Sequence, residues 1–200
     1  MTHKLALIIL AAGSASRFGS PKQLAMLNGK RLLQCAIDAG IGVLPDATYV
    51  ILGANADTII QAMDLSKVNV VKNEQWNKGL SSSIHKVVST IGQQYAALLF
   101  IAADQVLITS THLKLLVDTW QQRPSCLVAS TFANEIGIPA IFPKGYYKEL
   151  LNIKGDQGAK GVLKTNRQQV IEVAIAEAAV DIDTPKDLVV LEGFSSGFGK

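Results

Sequence analysis

The amino-acid sequence predicts an α/β fold, a three-layer sandwich in which a mostly parallel sheet is covered by helices on both faces. Three observations lead to this prediction. Short apolar runs recur along the chain, and such runs suit strands that are buried on both faces. Segments with helical apolar spacing alternate with the runs, as they do in βαβ units. The length of 200 residues suits a single domain, since domains of ~100–200 residues are typical.

The elements follow one another in a regular order. The predicted strands are the apolar runs 4–10, 49–52, 68–71, 97–103, 127–130, 140–142 and 170–175. The predicted helices are 31–39, 56–63, 82–91, 111–120 and 187–191. Thr184 and Pro185 precede the last helix as a cap and a proline at the first helical position. We therefore expect residues 1–191 to form one domain and the Gly- and Ser-rich residues 192–200 to form a flexible tail.

Composition excludes several classes of protein. A hydrophobic fraction of 48% is too high for a disordered chain, and two cysteines are too few for a disulfide scaffold. The net charge of +3 is small, whereas nucleic-acid binding usually shows as a concentrated basic stripe. No apolar run is long enough to span a membrane, and the first is too short for a signal peptide. We expect a cytoplasmic protein that binds neither nucleic acid nor membranes.

The loop after the first predicted strand carries the strongest sign of ligand binding. Residues 10–22 read LAAGSASRFGSPK. Small residues let the backbone approach a ligand closely, and the exposed amides of such a loop can bind an anion. Arg17 and Lys22 add charges that suit phosphate. The loop matches neither a Walker A loop nor the G-x-G-x-x-G of dinucleotide binders, so an ordinary surface loop with solvated cations is the alternative.

Three aspartates suggest a metal site. Asp104 follows strand 97–103 at its carboxyl end, where ligands bind in open α/β sheets. Asp181 and Asp183 share one face of an extended segment. Carboxylates at such places suit Mg²⁺, which takes further ligands from water and from substrate phosphates. The alternative is capping: Asp104 could cap the helix that begins near Thr109, and we expect Asp183 or Thr184 to cap the last helix.

Two further segments have a composition suited to ligands, although either could be a plain turn. Residues 73–83 read NEQWNKGLSSS and offer amide and hydroxyl groups for a base or a ribose. Residues 154–161 read KGDQGAKG and are dense in glycine. The histidines and cysteines show no metal-ligand spacing and are expected to be structural.

Taken together, these segments resemble the MobA-like nucleotidyltransferase superfamily, and within it the molybdenum-cofactor cytidylyltransferases, from Leu5 to about Leu191. The matching motifs occur in the family's order. They are Leu10-Ala11-Ala12-Gly13-Ser14 with Arg17, Gly19 and Lys22; Asn73, Trp76, Gly79 and Ser83; Asp104-Gln105, which looks like a metal-binding pair; GIPAIF at 137–142; Gly155-Asp156 with Gly158-Ala159; and DIDTPKDL at 181–188.

The resemblance implies a Rossmann-like fold of the nucleotide-diphospho-sugar transferase type. It also implies Mg²⁺-dependent transfer of a nucleoside monophosphate from a nucleoside triphosphate to the terminal phosphate of a molybdopterin-type cofactor, with release of pyrophosphate. Guanylyl-transferring relatives usually carry Ala-Gly-Gly in the first loop, whereas this chain has Ala11-Ala12-Gly13. This difference favours cytidylyl or adenylyl transfer, and of the two we expect CTP to be the substrate.

The resemblance further implies a role for each matched residue. The expected catalytic residues are Arg17, Lys22 and Asp104. The expected nucleotide-binding residues are Leu10, Ala11, Ala12, Gly13, Ser14, Lys22, Asn73, Gly79 and Ser83. Gly137, Pro139, Asp156 and Gly158 are expected to bind the acceptor. Asp104, Asp181 and Asp183 are expected to bind Mg²⁺.

Other functions share some of these features. A sugar-nucleotide pyrophosphorylase, or another cytidylyltransferase on the same fold, would use the same loop and the same Asp104. A non-catalytic carrier of the pterin cofactor would bind ligands without releasing pyrophosphate. A nicotinamide-dependent oxidoreductase is disfavoured by the missing G-x-G-x-x-G. The expected partners are CTP, a phosphorylated pterin-type acceptor, and a molybdoenzyme or a maturation factor that receives the product.

Overall fold

Strand β1 (Leu5–Ala11) shows why the chain folds in three layers. Leu7 and Ile9 pack into the core on one face of the sheet, whereas Ala6 and Ile8 pack into the core on the other face. A strand that is apolar on both sides has to be covered on both sides. In the computed structural model, which describes residues 4–15 and 17–197, helices provide this cover.

The central sheet is built from seven strands within these residues. They are β1, β4 (Thr48–Leu52), β5 (Asn69–Lys72), β6 (Ala97–Ala102), β7 (Leu127–Phe132), β8 (Glu135–Pro143) and β9 (Val170–Ala174), while β2 (Met26–Leu27) and β3 (Lys30–Arg31) form a separate hairpin. The strand order is β5-β4-β1-β6-β8-β7-β9. All strands of the sheet are parallel except β8, which runs antiparallel to its neighbours β6 and β7.

The helices divide between the two faces of the sheet. They are α1 (Leu32–Ile41), α2 (Ala56–Ala62), α3 (Leu80–Ile91), α4 (Ser110–Gln122), α5 (Tyr147–Leu150), α6 (Lys160–Thr165) and α7 (Pro185–Gly197). Helices α1, α2 and α4 pack into the core that contains Leu7 and Ile9. Helices α3, α5 and α6 pack into the core on the opposite face. The predicted sandwich with a mostly parallel sheet is confirmed.

The predicted strands and helices all form, with differences at their ends. Helix α3 begins two residues before the predicted start, and β8 is longer than the predicted 140–142. The reversed direction of β8, the hairpin β2–β3 and the short helices α5 and α6 were not predicted. Helix α7 extends far beyond the predicted 187–191. Residues 192–197, expected to belong to a flexible tail, are therefore helical, and residues 198–200 lie outside the described part.

The strand order creates a crevice at the carboxyl ends of β1 and β6. The chain places β4 and β5 on one side of β1 and then returns to place β6 on the other side. The strand order therefore reverses between β1 and β6, and open α/β sheets bind their ligands at such a point. A small third cluster of Leu27, Leu32 and Ile182 packs nearby, with Leu188 of α7 against it. Across the described ranges, none of the helices is both long and apolar enough to cross a membrane.

Candidate active site

The loop after β1 has its carbonyl groups held by the protein. The side-chain amide of Gln23 donates to the carbonyl oxygens of Ala11 at 2.7 Å and Gly13 at 3.2 Å, and Gln23 is 5% exposed. The N–H groups of Gly13 and Ser14 have no acceptor among the residues that the structure describes. A loop whose carbonyl oxygens accept hydrogen bonds from the protein, and whose N–H groups have no acceptor, is suited to binding phosphate.

A cleft of about 350 Å³ opens between this loop and the start of α3. Its volume falls in the usual range for small-molecule sites, ~300–1,000 Å³. Six of the predicted nucleotide-binding residues line it: Leu10, Ala12, Gly13, Ser14, Gly79 and Ser83. Trp76 and Leu80 add apolar surface to the same cleft and are 37% and 39% exposed. The cleft thus combines apolar walls with amide and hydroxyl donors.

A charged corner lies between the loop and the end of β6. The Nζ atom of Lys22 is 2.6 Å from Oδ2 of Asp104 and 3.5 Å from Oδ1 of Asp183. Arg17 lies further out, with Nη1 3.8 Å from Oδ2 of Asp183. A pocket of about 130 Å³, lined by Gly13, Lys22 and Asp104 among others, connects this corner to the loop. The three predicted catalytic residues therefore belong to one connected group.

The backbone holds residues 181–183 against the end of β6. Ile182 is fully buried, and its N–H donates to the carbonyl oxygen of Asp104 at 3.2 Å. Because side chains alternate along an extended segment, burial of Ile182 turns Asp181 and Asp183 the other way. Oδ1 of Asp183 lies 3.5 Å from Nζ of Lys22, and the positive charge of Lys22 also lowers the pKa of Asp181.

The start of α7 is fixed by Asp187. Its carboxylate accepts hydrogen bonds from the N–H groups of Asp183 at 2.9 Å and Thr184 at 2.7 Å. These backbone hydrogen bonds lower the pKa of Asp187. Thr184, which directly precedes the helix, also donates its hydroxyl to the carboxylate of Asp187 at 3.1 Å, so Thr184 rather than Asp183 takes part in the cap, and the carboxylate of Asp183 faces Lys22 and Arg17.

Gln105 braces the charged corner from the interior. It is 5% exposed, and its amide donates to the carbonyl oxygens of Ile138 at 3.1 Å and Ala178 at 3.0 Å. These bonds join the end of β6 to β8 and to the turn that leads into residues 181–183. Gln105 was expected to pair with Asp104 at a metal, and its Oε1, the atom that could bind a metal, has no hydrogen-bond partner among the described residues; a role of Gln105 at a metal stays a prediction.

Asp181 carries an unusual protonation equilibrium. The pKa of Asp181 is raised to about 6, and the largest cause is partial burial, which removes water from the carboxyl group. The negative charges of Asp104 and Asp183 act in the same direction, whereas Lys22 and Gln105 lower the pKa. The residue keeps part of its surface exposed to solvent. The corner thus holds more negative charge than Lys22 neutralises.

The predicted metal ligands lie together, but not as a ready-made metal site. Within residues 4–15 and 17–197, no group of three or more His, Cys, Asp or Glu side chains is arranged to hold a metal ion. The ammonium of Lys22 occupies the place where Asp104 and Asp183 converge. The donor chemistry nevertheless fits Mg²⁺, which prefers carboxylate oxygens, and the excess negative charge around Asp181 favours a further cation.

Asn73 supports the cleft from behind. It is 3% exposed, and its amide donates to the hydroxyls of Ser82 at 2.9 Å and Ser83 at 3.1 Å. Its side-chain carbonyl accepts the N–H of Gln75 at 3.0 Å. The polar atoms of Asn73 are therefore engaged within the protein, where Asn73 positions Ser83, which lines the cleft; a direct contact between Asn73 and the nucleotide stays a prediction.

Gly79 allows two loops to touch. Its φ is +92°, a conformation that disfavours residues with a side chain. A β-carbon there would lie 2.5 Å from the carbonyl carbon and oxygen of Gly155 and 2.7 Å from Oδ1 of Asp156. This contact brings Asp156, expected to bind the acceptor, into the lining of the nucleotide cleft.

The other expected acceptor residues lie outside the lining of the nucleotide cleft. Gly137 and Pro139 are buried within β8, and the carbonyl oxygen of Pro139 accepts the hydroxyl of Ser130 at 2.8 Å. Gly158 packs against Leu80, whose Cδ2 would lie 2.9 Å from a β-carbon at residue 158. Of these four residues, only Asp156 lines the nucleotide cleft, and the acceptor site itself stays a prediction.

Sequence reasoning missed two contributions to the site. Trp76 was part of a motif but was given no role, although a tryptophan in a polar, glycine-containing segment is a signal of a binding surface. Gln23 was overlooked because nothing local marks it: its importance comes from the carbonyls of Ala11 and Gly13, which the fold brings to it.

Known proteins show similarity to most of the chain. The model of one protein family, described as "MobA-like NTP transferase domain", matches residues 7–171. The bifunctional protein GlmU of Pseudomonas aeruginosa (strain LESB58) is 31% identical over 158 residues, which cover 78% of this chain. The chain spans about a third, 32%, of the length of that relative. Nicotine blue oxidoreductase of Paenarthrobacter nicotinovorans is 23% identical over 192 residues, covering 90% of this chain and 93% of that protein.

Solved structures share the fold. A homologue of Rv0371c from Mycobacterium sp. strain JC1 has a TM-score of 0.84 at 25% identity, with 96% of this chain and 97% of that chain covered. Rv0371c of Mycobacterium tuberculosis H37Rv, solved with manganese, has a TM-score of 0.80 at 23% identity and coverage of 95% and 98%. Molybdopterin-guanine dinucleotide biosynthesis protein A of Archaeoglobus fulgidus has a TM-score of 0.69 at 18% identity, with coverage of 96% and 100%.

Proposed function

Because the chain belongs to the MobA-like NTP transferase family, we propose that it transfers CMP from CTP to the terminal phosphate of a molybdopterin-type cofactor and releases pyrophosphate. The family makes the chain a nucleotidyltransferase; the base and the acceptor are the proposed part. One observation carries the proposal: the loop after β1, with its free amides, runs from the cleft of about 350 Å³ to the ion pair at the end of β6.

The shape and chemistry of the site suggest how CTP lies in it. The base and ribose occupy the cleft near Ser83, and the carboxylate of Asp156 accepts hydrogen bonds from ribose hydroxyls. The phosphates extend along the free N–H groups of Gly13 and Ser14 towards Lys22, so that fixed donors meet the negative charge.

The transfer itself needs positioning and charge neutralisation rather than a covalent intermediate. The acceptor's terminal phosphate attacks the α-phosphorus in line, the bond to the β-phosphate oxygen breaks, and pyrophosphate leaves. Holding the two anions together removes much of the entropic barrier. Lys22 and Arg17 offset the negative charge on the triphosphate as it redistributes towards the leaving group.

Mg²⁺ is the proposed cofactor, held by Asp104 with Asp181 or Asp183. When bound, it supplies positive charge that polarises phosphoryl oxygens. The manganese complex of Rv0371c, a protein of the same fold, supports the proposal that this chain also binds a divalent metal.

The choice of CTP rests on Ala11-Ala12-Gly13, and the choice of a pterin acceptor rests on the resemblance and on the fold shared with the Archaeoglobus protein. That protein's name refers to guanine, so GTP is the competitor to test. We also propose a cytoplasmic location, because CTP is found there and because Cys35 and Cys126 are free thiols. A molybdoenzyme or a maturation factor is the proposed protein partner.

Thermal unfolding with CTP, GTP and ATP, each with and without Mg²⁺, tests the nucleotide. A ligand at 100 times its dissociation constant adds about 2.7 kcal/mol, which for this size raises Tm by roughly 5–10 °C. We expect the largest Mg²⁺-dependent shift with CTP. A larger shift with GTP or ATP would overturn the base, and no shift with any triphosphate would overturn the transferase reaction on this substrate class.

Two other functions have an observation in their favour. The identity with GlmU supports a related transferase with a different acceptor, such as a sugar phosphate. The nearly full-length similarity to nicotine blue oxidoreductase supports an oxidoreductase. Release of pyrophosphate with a pterin phosphate but not with sugar phosphates would exclude the first, as well as a non-catalytic carrier. Absence of a Tm shift with NADH or NADPH would exclude a nicotinamide-dependent oxidoreductase.

A further inference from the structure

We infer that Lys22 is an internal counter-ion that competes with the divalent metal ion for Asp104 and Asp183 and releases them when a triphosphate binds. This inference rests on the proposed function, because it assumes that both a metal ion and a triphosphate use this corner. It adds an order of events: the carboxylates become free to bind metal only after the phosphates have drawn Lys22 away.

The contacts of Lys22 carry the inference. Its Nζ donates to Oδ2 of Asp104 at 2.6 Å and lies 3.5 Å from Oδ1 of Asp183. The side chains of Lys22 and Asp104 are only 17% and 25% exposed, so water screens their attraction less than it screens a surface pair. One ammonium thus bridges two of the three carboxylates that are candidates for the metal.

An ammonium and a divalent cation exclude each other from the same pair of carboxylates. Two positive charges a few ångströms apart repel strongly, and more so where water is scarce. Arg17 does not block the site in the same way, because it contacts only the outer oxygen of Asp183, at 3.8 Å, and its side chain is 75% exposed. Lys22 is therefore the group that a metal ion has to displace.

The triphosphate offers Lys22 an alternative partner. Lys22 lines the same small pocket as Gly13, whose free N–H belongs to the proposed phosphate loop. The flexible four-carbon stem of lysine lets the ammonium move without a change in the backbone. Lys22 can thus exchange carboxylate oxygens for phosphate oxygens and remain paired throughout, while Asp104 and Asp183 pass to the metal.

Binding of Mn²⁺ to the full chain in the absence of nucleotide tests this exchange. We compare wild type with Lys22→Met, which keeps the apolar stem and removes the charge, by titration calorimetry and by the electron paramagnetic resonance signal of free Mn²⁺. We expect Lys22→Met to bind one Mn²⁺ about tenfold more tightly or better, a gain of at least about 1.4 kcal/mol. Lys30→Met is the matched control, because Lys30 forms a similar pair with Asp38 at 2.7 Å away from this corner.

If Lys22→Met binds Mn²⁺ no more tightly than wild type does, the inference is overturned. Circular dichroism checks that the variant is folded, and Lys22→Gln provides a second variant if it is not. The assay contains no nucleotide, so its failure is separate from failure of the proposed function. A wild type that is stabilised by CTP while Lys22→Met gains no Mn²⁺ affinity would refute the exchange and leave the transferase standing.

Discussion

Asp104 and Lys22 meet at 2.6 Å where β6 ends, and the carboxylate is the member of this pair that the proposed reaction needs for metal. We predict that Asp104→Asn folds normally and loses transferase activity by roughly 10²-fold or more, the scale of losing one fixed electrostatic stabiliser. Pyrophosphate release with CTP and acceptor measures the loss. Asp118→Asn, which breaks the exposed pair with Lys114 on α4, should retain full activity. Full activity of Asp104→Asn would remove this residue from the mechanism.

Asp181 predicts a pH dependence of stability. Its pKa is about 6 in the folded chain and about 3.9 when unfolded, so the folded state binds the proton more tightly. The resulting stabilisation is full below about pH 4 and is lost as the pH rises through about 6. In EDTA, Asp181→Asn should therefore exceed wild type in stability at pH 7.5, by about 1 kcal/mol after allowance for solvent screening. Urea unfolding at pH 7.5 and 4.5 measures the difference, which should shrink at the lower pH; a constant difference would contradict this origin.

Among single residues, the charged side chains of the site were easier to predict than the buried polar side chains that hold its backbone in place. Lys22, Asp104 and Asp183 could be found because charged side chains beside strand ends suggest chemistry in the sequence itself. Gln23 and Gln105 could not be assigned their roles, because both depend on backbone carbonyls that the fold supplies, such as those of Ala11 and Ala178. Asn73 was assigned to the nucleotide for its polarity, although the same polarity holds the serines of α3.

The junction between the start of α3 and the loop 154–159 makes a prediction at the scale of elements. Gly79→Ala would place a β-carbon 2.5 Å from the backbone of Gly155, at a φ of +92°. We expect a loss of roughly 1–3 kcal/mol of unfolding free energy and weaker CTP binding, since Asp156 has to move. Gly161→Ala in α6 is the control, because nothing lies within 4 Å of its β-carbon. Equal stability of the two variants in urea would show that the junction is looser than the structure indicates.

Some strands and helices could be predicted from the sequence and others could not. The buried strands were predictable because two-sided burial demands continuous apolar runs, as in β1 and β6. The direction of β8 was not, because an apolar run reads the same whichever way the strand points. Helices α5 and α6 have only 4 and 6 residues, too few for a helical period to appear. The start of α7 was predicted, but not its length.

For the whole molecule, the two cores share the strands between them, as alternating residues of β1 show. We therefore predict that both faces unfold in one cooperative transition. Trp120, 1% exposed in one core, reports that face by fluorescence, and far-UV circular dichroism reports all elements. Trp76→Phe removes the second tryptophan and its signal from the cleft. Different urea midpoints for the two probes would show that the faces unfold separately.

The bond from the N–H of Ile182 to the carbonyl of Asp104 has a consequence for the chain as the ribosome makes it. Translation delivers the cationic residues Arg17 and Lys22 first, Asp104 next, and Asp181 and Asp183 much later. A nascent chain that ends after β6 can pair Lys22 with Asp104 but lacks the two carboxylates that complete the corner. Because the proposed metal site needs Asp181 or Asp183, we expect a nascent chain to gain transferase activity only after these residues have emerged.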